Sequence, residues 1–294
     1  MDNKSVEPSR WLMEIRPTDK RMNLNFKEIW RYKDLILLFV KRDFKARYKQ
    51  TLLGPAWAVI QPLLTTVVFS IIFGSLAKLT TADVEGSTLK MPAFLFFMTG
   101  TIFWAYFSGT VSATSSTFIE NVRIMSKVYY PRMVTPISTA FSNLISYFIQ
   151  LALFVVLLVI FVVIGIAEVS LTWFSLMIPA LIVQMMMLST GVGILISAFT
   201  TKYRDLRMLV TFGLQLWEYL SPIPYGLSMI PERLMWLYML NPITPIITAM
   251  RYAFFGTGYF NLVYYLISLA VTIVIFIFGM IMFNRIERTF ADTV

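Results

Sequence analysis

Arg42, Lys45, Arg47 and Lys49 fall in one stretch, RDFKARYKQ, and are the densest chemistry in this chain. On a helix rising ~1.5 Å per residue they occupy about 10 Å of axis, close enough to share one anionic headgroup. Their chemistry is charge-assisted hydrogen bonding to phosphate or carboxylate oxygens, with Tyr48 and Phe44 turned to an apolar or sugar side. Little else in the chain could do covalent work. There is no cysteine and no histidine, so a thiolate nucleophile and the commonest metal ligand are both missing. There is no Gly-Lys dipeptide, so no Walker A loop can cradle a nucleotide. Inside apolar sequence stands one clear acid, Glu218 in LQLWEYLSPIP. A membrane glycosyl- or acyltransferase would want clustered Asp, Glu or His at the membrane face, and none is present. The pattern argues against an enzyme and against a cofactor or metal of the chain's own.

The elements that position these residues follow from composition. The 294 residues are 57% hydrophobic and 14% charged, against roughly 25% charged in a soluble domain. One core cannot hide that surplus, so lipid must solvate part of it. The sequence predicts an all-α integral membrane protein with six transmembrane helices, at about 55–77, 93–114, 135–166, 171–199, 208–224 and 261–283. The stretch 225–259 is apolar but broken by Pro231, Pro242, Pro245, Gly256 and Gly258. It is too interrupted for one span and too apolar for an ordinary loop. A re-entrant helical hairpin before the last span fits it, since irregular backbone at membrane depth must be buried in protein or line a cavity.

Outside this transmembrane domain, 55–283, lie a polar N-terminal arm (1–34), a basic helix (35–54) and a short tail (284–294). The arm is mixed in charge, which predicts targeting by internal spans rather than a cleaved leader. Of 25 Lys and Arg, 21 fall on the side of the termini and four (Lys78, Lys90, Arg233 and Arg251) on the other. With the long N-terminal arm discounted the split is still eight to four, so the positive-inside rule makes both termini cytoplasmic. The net charge of +9 is therefore what topology demands, and nucleic acid is not implied as a partner.

At 100° per residue Leu37, Val40, Phe44, Tyr48 and Leu52 form one stripe, flanked by Lys41, Lys45 and Lys49. That is an amphipathic interfacial helix, ended by Gly54-Pro55 where the first span begins. The pattern fits a plain membrane anchor and a substrate entrance alike. Glu218 lies about two-thirds of the way along span five from its cytoplasmic end, where it could pair with Arg251 or Arg233 or simply approach the outer headgroups. Phe94, Phe96, Phe97, Phe103, Trp104, Tyr106 and Phe107 fill span two, and Trp217, Tyr219 and Tyr225 line the end of span five. Such rings either face lipid and neighbouring helices or offer flat surfaces to sugar C–H groups.

RDFKARYKQTLLGPAWAVIQP, with ENVRIMSKVYYPRMVTPIS (Glu120–Ser138) and NPITPIITAMR (Asn241–Arg251), resembles the membrane subunits of bacterial polysaccharide ABC exporters. These are the type-2 permeases that move O-antigen, capsular polysaccharide or teichoic acid. The resemblance runs from Ile29 to Arg288. It implies a homodimer in the inner membrane, partnered by two ATP-binding subunits that hold ATP and Mg, with membrane lipids around it and a lipid-linked glycan between the copies. The cations of the basic stretch, at the leaflet where a phosphate-linked lipid would lie, predict substrate entry at Arg42, Lys45, Arg47, Tyr48 and Lys49. The ATPase would couple through Phe118–Tyr130, with Glu120, Arg123, Lys127 and Tyr130. A periplasmic gate would involve Asn241, Pro242, Arg251 and Glu218, and Phe97, Trp104, Phe107, Trp217 and Tyr219 would line the conduit. Export of a small amphiphile by the same six-span frame is the nearest alternative.

Overall fold

The computed structural model describes residues 26–76, 91–125, 127–128, 130–169, 173–200, 205–256 and 258–291. The arm before residue 26, Lys78, Lys90, Lys202, Arg204 and the last three residues lie outside them. Among the described residues all regular structure is helical. Two helices precede the first span: α1 (Phe26–Arg31) and α2 (Lys33–Tyr48). Then come α3 (Trp57–Phe69, continuing in π-helical turns Ser70–Leu76), α4 (Ala93–Ser115), α5 (Thr117–Met125) and α6 (Val134–Val163). The chain ends with α7 (Ile178–Thr200), α8 (Leu206–Tyr219), α9 (Glu232–Leu240), α10 (Ile243–Phe255) and α11 (Leu262–Ala291).

Among the described residues five helical stretches are long and apolar enough to cross a bilayer: Gly54–Gly74, Ala93–Ser115, Val134–Val163, Trp173–Thr200 and Leu262–Arg285. Six were expected, and the difference lies in the stretch 208–224. There α8 has 14 residues, about 21 Å of helix, short of a ~30 Å hydrocarbon core. Pro222 and Pro224 are the cause. Proline cannot donate to the preceding turn and pushes the residue before it out of helical geometry, so the helix closes at Tyr219.

The bundle is layered around α4. It is apolar on every face, the mark of a helix that belongs inside, and 78% of its apolar stretch is buried, against 22–28% for α3, α6 and α11. Helix α7 packs along α4 and α11, and glycines make that approach possible. A Cβ on Gly279 would stand 2.8 Å from the carbonyl of Gly191, and one on Gly191 would stand 2.8 Å from Cα of Phe276. Small residues at such crossings let backbones meet where no hydrophobic effect drives helices together.

Helix α3 carries Pro62 in its interior. Its missing N–H leaves the Ala58 carbonyl without its helical donor. The side chain of Gln150 on α6 supplies one, Nε2 to Ala58 O at 2.8 Å. A broken backbone bond is thus repaired by a side chain of a neighbouring helix.

Helix α2 stops four residues short of Leu52. Lys49 is extended, Gln50 is left-handed at φ 67°, and Leu52 is exposed. Of the expected stripe, Val40 is buried and Leu37 exposed. What α2 covers is largely protein: it lies against α6, and Phe39 meets the Tyr130 ring edge-on at 5.6 Å.

Candidate functional site

A cleft of about 590 Å³ opens between the end of α2 and helices α3, α4, α6 and α8. Its walls are aromatic and polar together. Tyr48, Trp57, Trp104, Tyr106 and Tyr147 supply rings, and Gln61, Thr65, Asn143, Ser146 and Gln150 supply hydrogen-bonding groups. Asn143, Ser146 and Gln150 recur along one face of α6, which brings all three to the cleft. Two of the lining residues are charged, Arg47 and Glu218.

The cleft gathers expected site residues from three separate groups. Arg47 donates to Asn143 Oδ1 at 2.6 Å. Tyr48 OH shares a hydrogen bond with Ser146 Oγ at 2.9 Å. Trp104 and Glu218 line the same cleft as neighbours of each other. The remaining cations of the stretch go elsewhere. Arg42 pairs with Asp43 at 2.8 Å, lies 4.4 Å over the Phe39 ring and donates to Asn121 of α5 at 3.4 Å. Lys45 and Lys49 are exposed.

The other expected ring residues are dispersed. Phe97 and Phe107 are buried in the interior, the latter edge-on to Trp217 at 5.2 Å. Tyr219 is exposed, and its carbonyl accepts from Tyr225 OH. Trp217 donates its indole N–H to Asn241 Oδ1 at 3.1 Å.

Asn241 is a hub between α9 and α10. Its amide donates to Ser221 Oγ at 3.0 Å, and its oxygen caps the next helix at Ile243 N. The carbonyl of Pro242 accepts from Ser268 on α11 at 2.6 Å, and Ser268 accepts in turn from Gln184 on α7. Ten residues along, Arg251 is 1% exposed. Its guanidinium carbon lies 3.6 Å from the centre of the Phe96 ring, and Nη2 donates to Ile223 O at 3.0 Å. Gly100 leaves the room this requires, since a Cβ there would come within 3.0 Å of Arg251 Nη2. Arg251 and Glu218, considered as a pair from sequence, thus have separate surroundings: an interior ring and carbonyls for one, the cleft wall for the other.

Helix α5 forms the third cluster. Glu120 accepts from Arg207 of α8 at 2.8 Å and from Ser116 Oγ at 2.9 Å. Phe118 stacks on Phe283 of α11 at 4.5 Å. Arg123 lies on α5, Lys127 is exposed just beyond it, and Tyr130 is buried with its OH 3.2 Å from Thr135 Oγ1.

Residues 34–255 match the family model for the ABC-2 type transporter. The chain belongs to the ABC-2 type transporter family. It is similar to an O-antigen export system permease protein RfbA of Klebsiella pneumoniae, 29% identical over 260 residues, covering 88% of this chain and 94% of that protein. A protein of the same name from Myxococcus xanthus is 27% identical, with 78% and 83% covered. The polysialic acid transport protein KpsM of Escherichia coli is 24% identical, with 72% and 78% covered.

Within this ABC-2 chain, Gln150, Asn143, Ser146, Trp57 and Tyr147 had no functional reading from sequence. A signal was present. Three polar residues spaced by three and four on one face of a span, and a proline inside another, both mark helices that face something other than lipid.

Proposed function

We propose that this chain is the permease subunit of an ABC exporter for a lipid-linked glycan, working in the inner membrane as two copies with two ATP-binding subunits. The cleft is the observation that carries this reading. Rings suit the C–H faces of sugars, amides and hydroxyls suit their OH groups, and Arg47 at the α2 end suits an anionic headgroup. A small amphiphile would be served better by an apolar wall. The names of the relatives, O-antigen export permease and polysialic acid transport protein, support a glycan as cargo.

In this reading α8 with residues 220–224 makes the fifth of six crossings. The pair α9–α10 is a re-entrant hairpin on the periplasmic side, and both termini are cytoplasmic. The lipid end enters beside Arg42, Lys45, Arg47, Tyr48 and Lys49, and the conduit runs between the two copies past Trp104 and Trp217. Helix α5 docks the ATPase, which binds ATP and Mg. The hub at Asn241-Pro242, with Arg251 behind it, closes the periplasmic mouth. The test is deletion of the gene. Cells without it should accumulate lipid-linked glycan on the cytoplasmic side and lose it from the surface, and the wild-type chain should restore export. Unchanged surface glycan in the deletion strain overturns the reading.

A further inference from the structure

We infer that Glu218 sorts glycans by charge, admitting sugar units without acid groups and disfavouring acidic ones; this rests on the exporter reading and says which glycan the cleft takes. The cleft is electrically polarised along its length. Arg47 is bonded to Asn143, whose amide donates to Thr110 on α4 at 3.1 Å. Glu218 of α8 neighbours Trp104, which like Thr110 belongs to α4. Thr110 and Trp104 are six residues apart on α4, about 9 Å of helix rise, so the cation and the acid are anchored at different levels of that helix. Tyr106 lies between the two levels.

Each end suits a different part of one substrate. A lipid-linked glycan carries phosphate once, at its lipid end, and a guanidinium held by a neutral amide gains a stronger, charge-assisted bond by turning to that phosphate. The saccharide units that follow pass Glu218 one after another. A carboxylate accepts hydrogen bonds from neighbouring sugar hydroxyls while the Trp104 ring packs beside it, so an uncharged unit gains contacts at that level. A uronic or sialic acid unit brings a second carboxylate there, and like charges at contact distance in a partly desolvated cleft repel. An acidic polymer meets that repulsion at every repeat. With Arg47 engaged at the other level, no second cation among the lining residues offsets it.

The experiment titrates the full chain in lipid nanodiscs with a neutral manno-oligosaccharide and with an oligogalacturonate of equal length, read by tryptophan fluorescence. Trp57 and Trp104 line the cleft and report occupancy. The wild type should bind the neutral oligosaccharide about tenfold or more tightly than the acidic one. Glu218→Gln should bind the neutral one about tenfold less tightly, having lost a charge-assisted acceptor. In that variant the gap between the two should close to about threefold or less. Glu218→Asp keeps the charge and should keep the preference, which separates charge sorting from misfolding. Equal binding of both probes by the wild type, no binding of either, or a preference that survives in Glu218→Gln overturns the inference. A chain that restores export to the deletion strain yet shows no preference keeps the exporter reading and loses this one.

Discussion

A guanidinium inside an apolar bundle persists only where oxygens and rings replace its water, and a carbonyl there persists only where some donor reaches it. Arg251 meets the first condition with the Ile223 carbonyl, the Phe96 ring and carbonyl, and Thr99 Oγ1. A lysine in its place could neither stack nor fork between them. Arg251→Lys should lower the stability of the purified permease by about 2 kcal/mol, the scale of one lost hydrogen bond to a charged group, seen as a lower thermal midpoint in detergent. An unchanged midpoint would mean that an ammonium serves as well. Ala58 meets the second condition through Gln150. Gln150→Leu should therefore destabilise α3 by roughly 1–3 kcal/mol, the cost of an orphaned buried acceptor. Pro62→Ala restores the missing N–H, so the double variant Pro62→Ala/Gln150→Leu should recover most of that loss. If the two substitutions add instead, the amide is not repairing the proline gap.

At the scale of elements, α5 is tied to three others. Arg42 of α2 reaches Asn121, Arg207 of α8 reaches Glu120, and Phe118 packs on α11. A force on α5 is thereby felt by the interfacial helix, by α8 and by the last span. Arg123→Glu/Lys127→Glu, which leaves those three links alone, should abolish co-purification with the ATP-binding subunit while the permease stays in the membrane. Normal co-purification and export would remove the docking role. Most helices were legible in sequence because 20 apolar residues have few other fates in lipid. What they face was not. In α4 every side is apolar, so periodicity carries no direction: Phe97 and Phe107 turned inward and Trp104 to the cleft. In α2 the stripe ran past the helix, which ends at Tyr48, and it left out Phe39, whose buried neighbours come from segments far along the chain. Gln150 and Asn143 stood out as polar in apolar sequence, but which carbonyl or guanidinium they meet depends on packing that spacing cannot convey.

For the whole molecule the open question is which way the bundle stands in the membrane, and the charges argue one way. On the proposed six crossings, 21 of 25 Lys and Arg fall on the side of the termini, the side that should be cytoplasmic. Arg233 then belongs to the opposite face, near the start of α9, where it is exposed. Helix α10, which follows α9, has the burial expected of a segment sheathed by protein: Ile243 to Met250 and Arg251 are buried without a break, whereas Leu234, Trp236, Leu237 and Leu240 of α9 are exposed. An exposed, apolar α9 with a charged N-terminal turn suits the outer rim of the membrane, lying beneath headgroups, rather than a seventh crossing. The chain has no cysteine, so one introduced thiol reports one position. Arg233→Cys should react in intact cells with a maleimide that cannot cross the inner membrane. Lys127→Cys, beside α5, should react only after the membrane is opened. Labelling of Lys127→Cys in intact cells with protection of Arg233→Cys would invert the topology. It would also carry α5 to the face that holds no ATP.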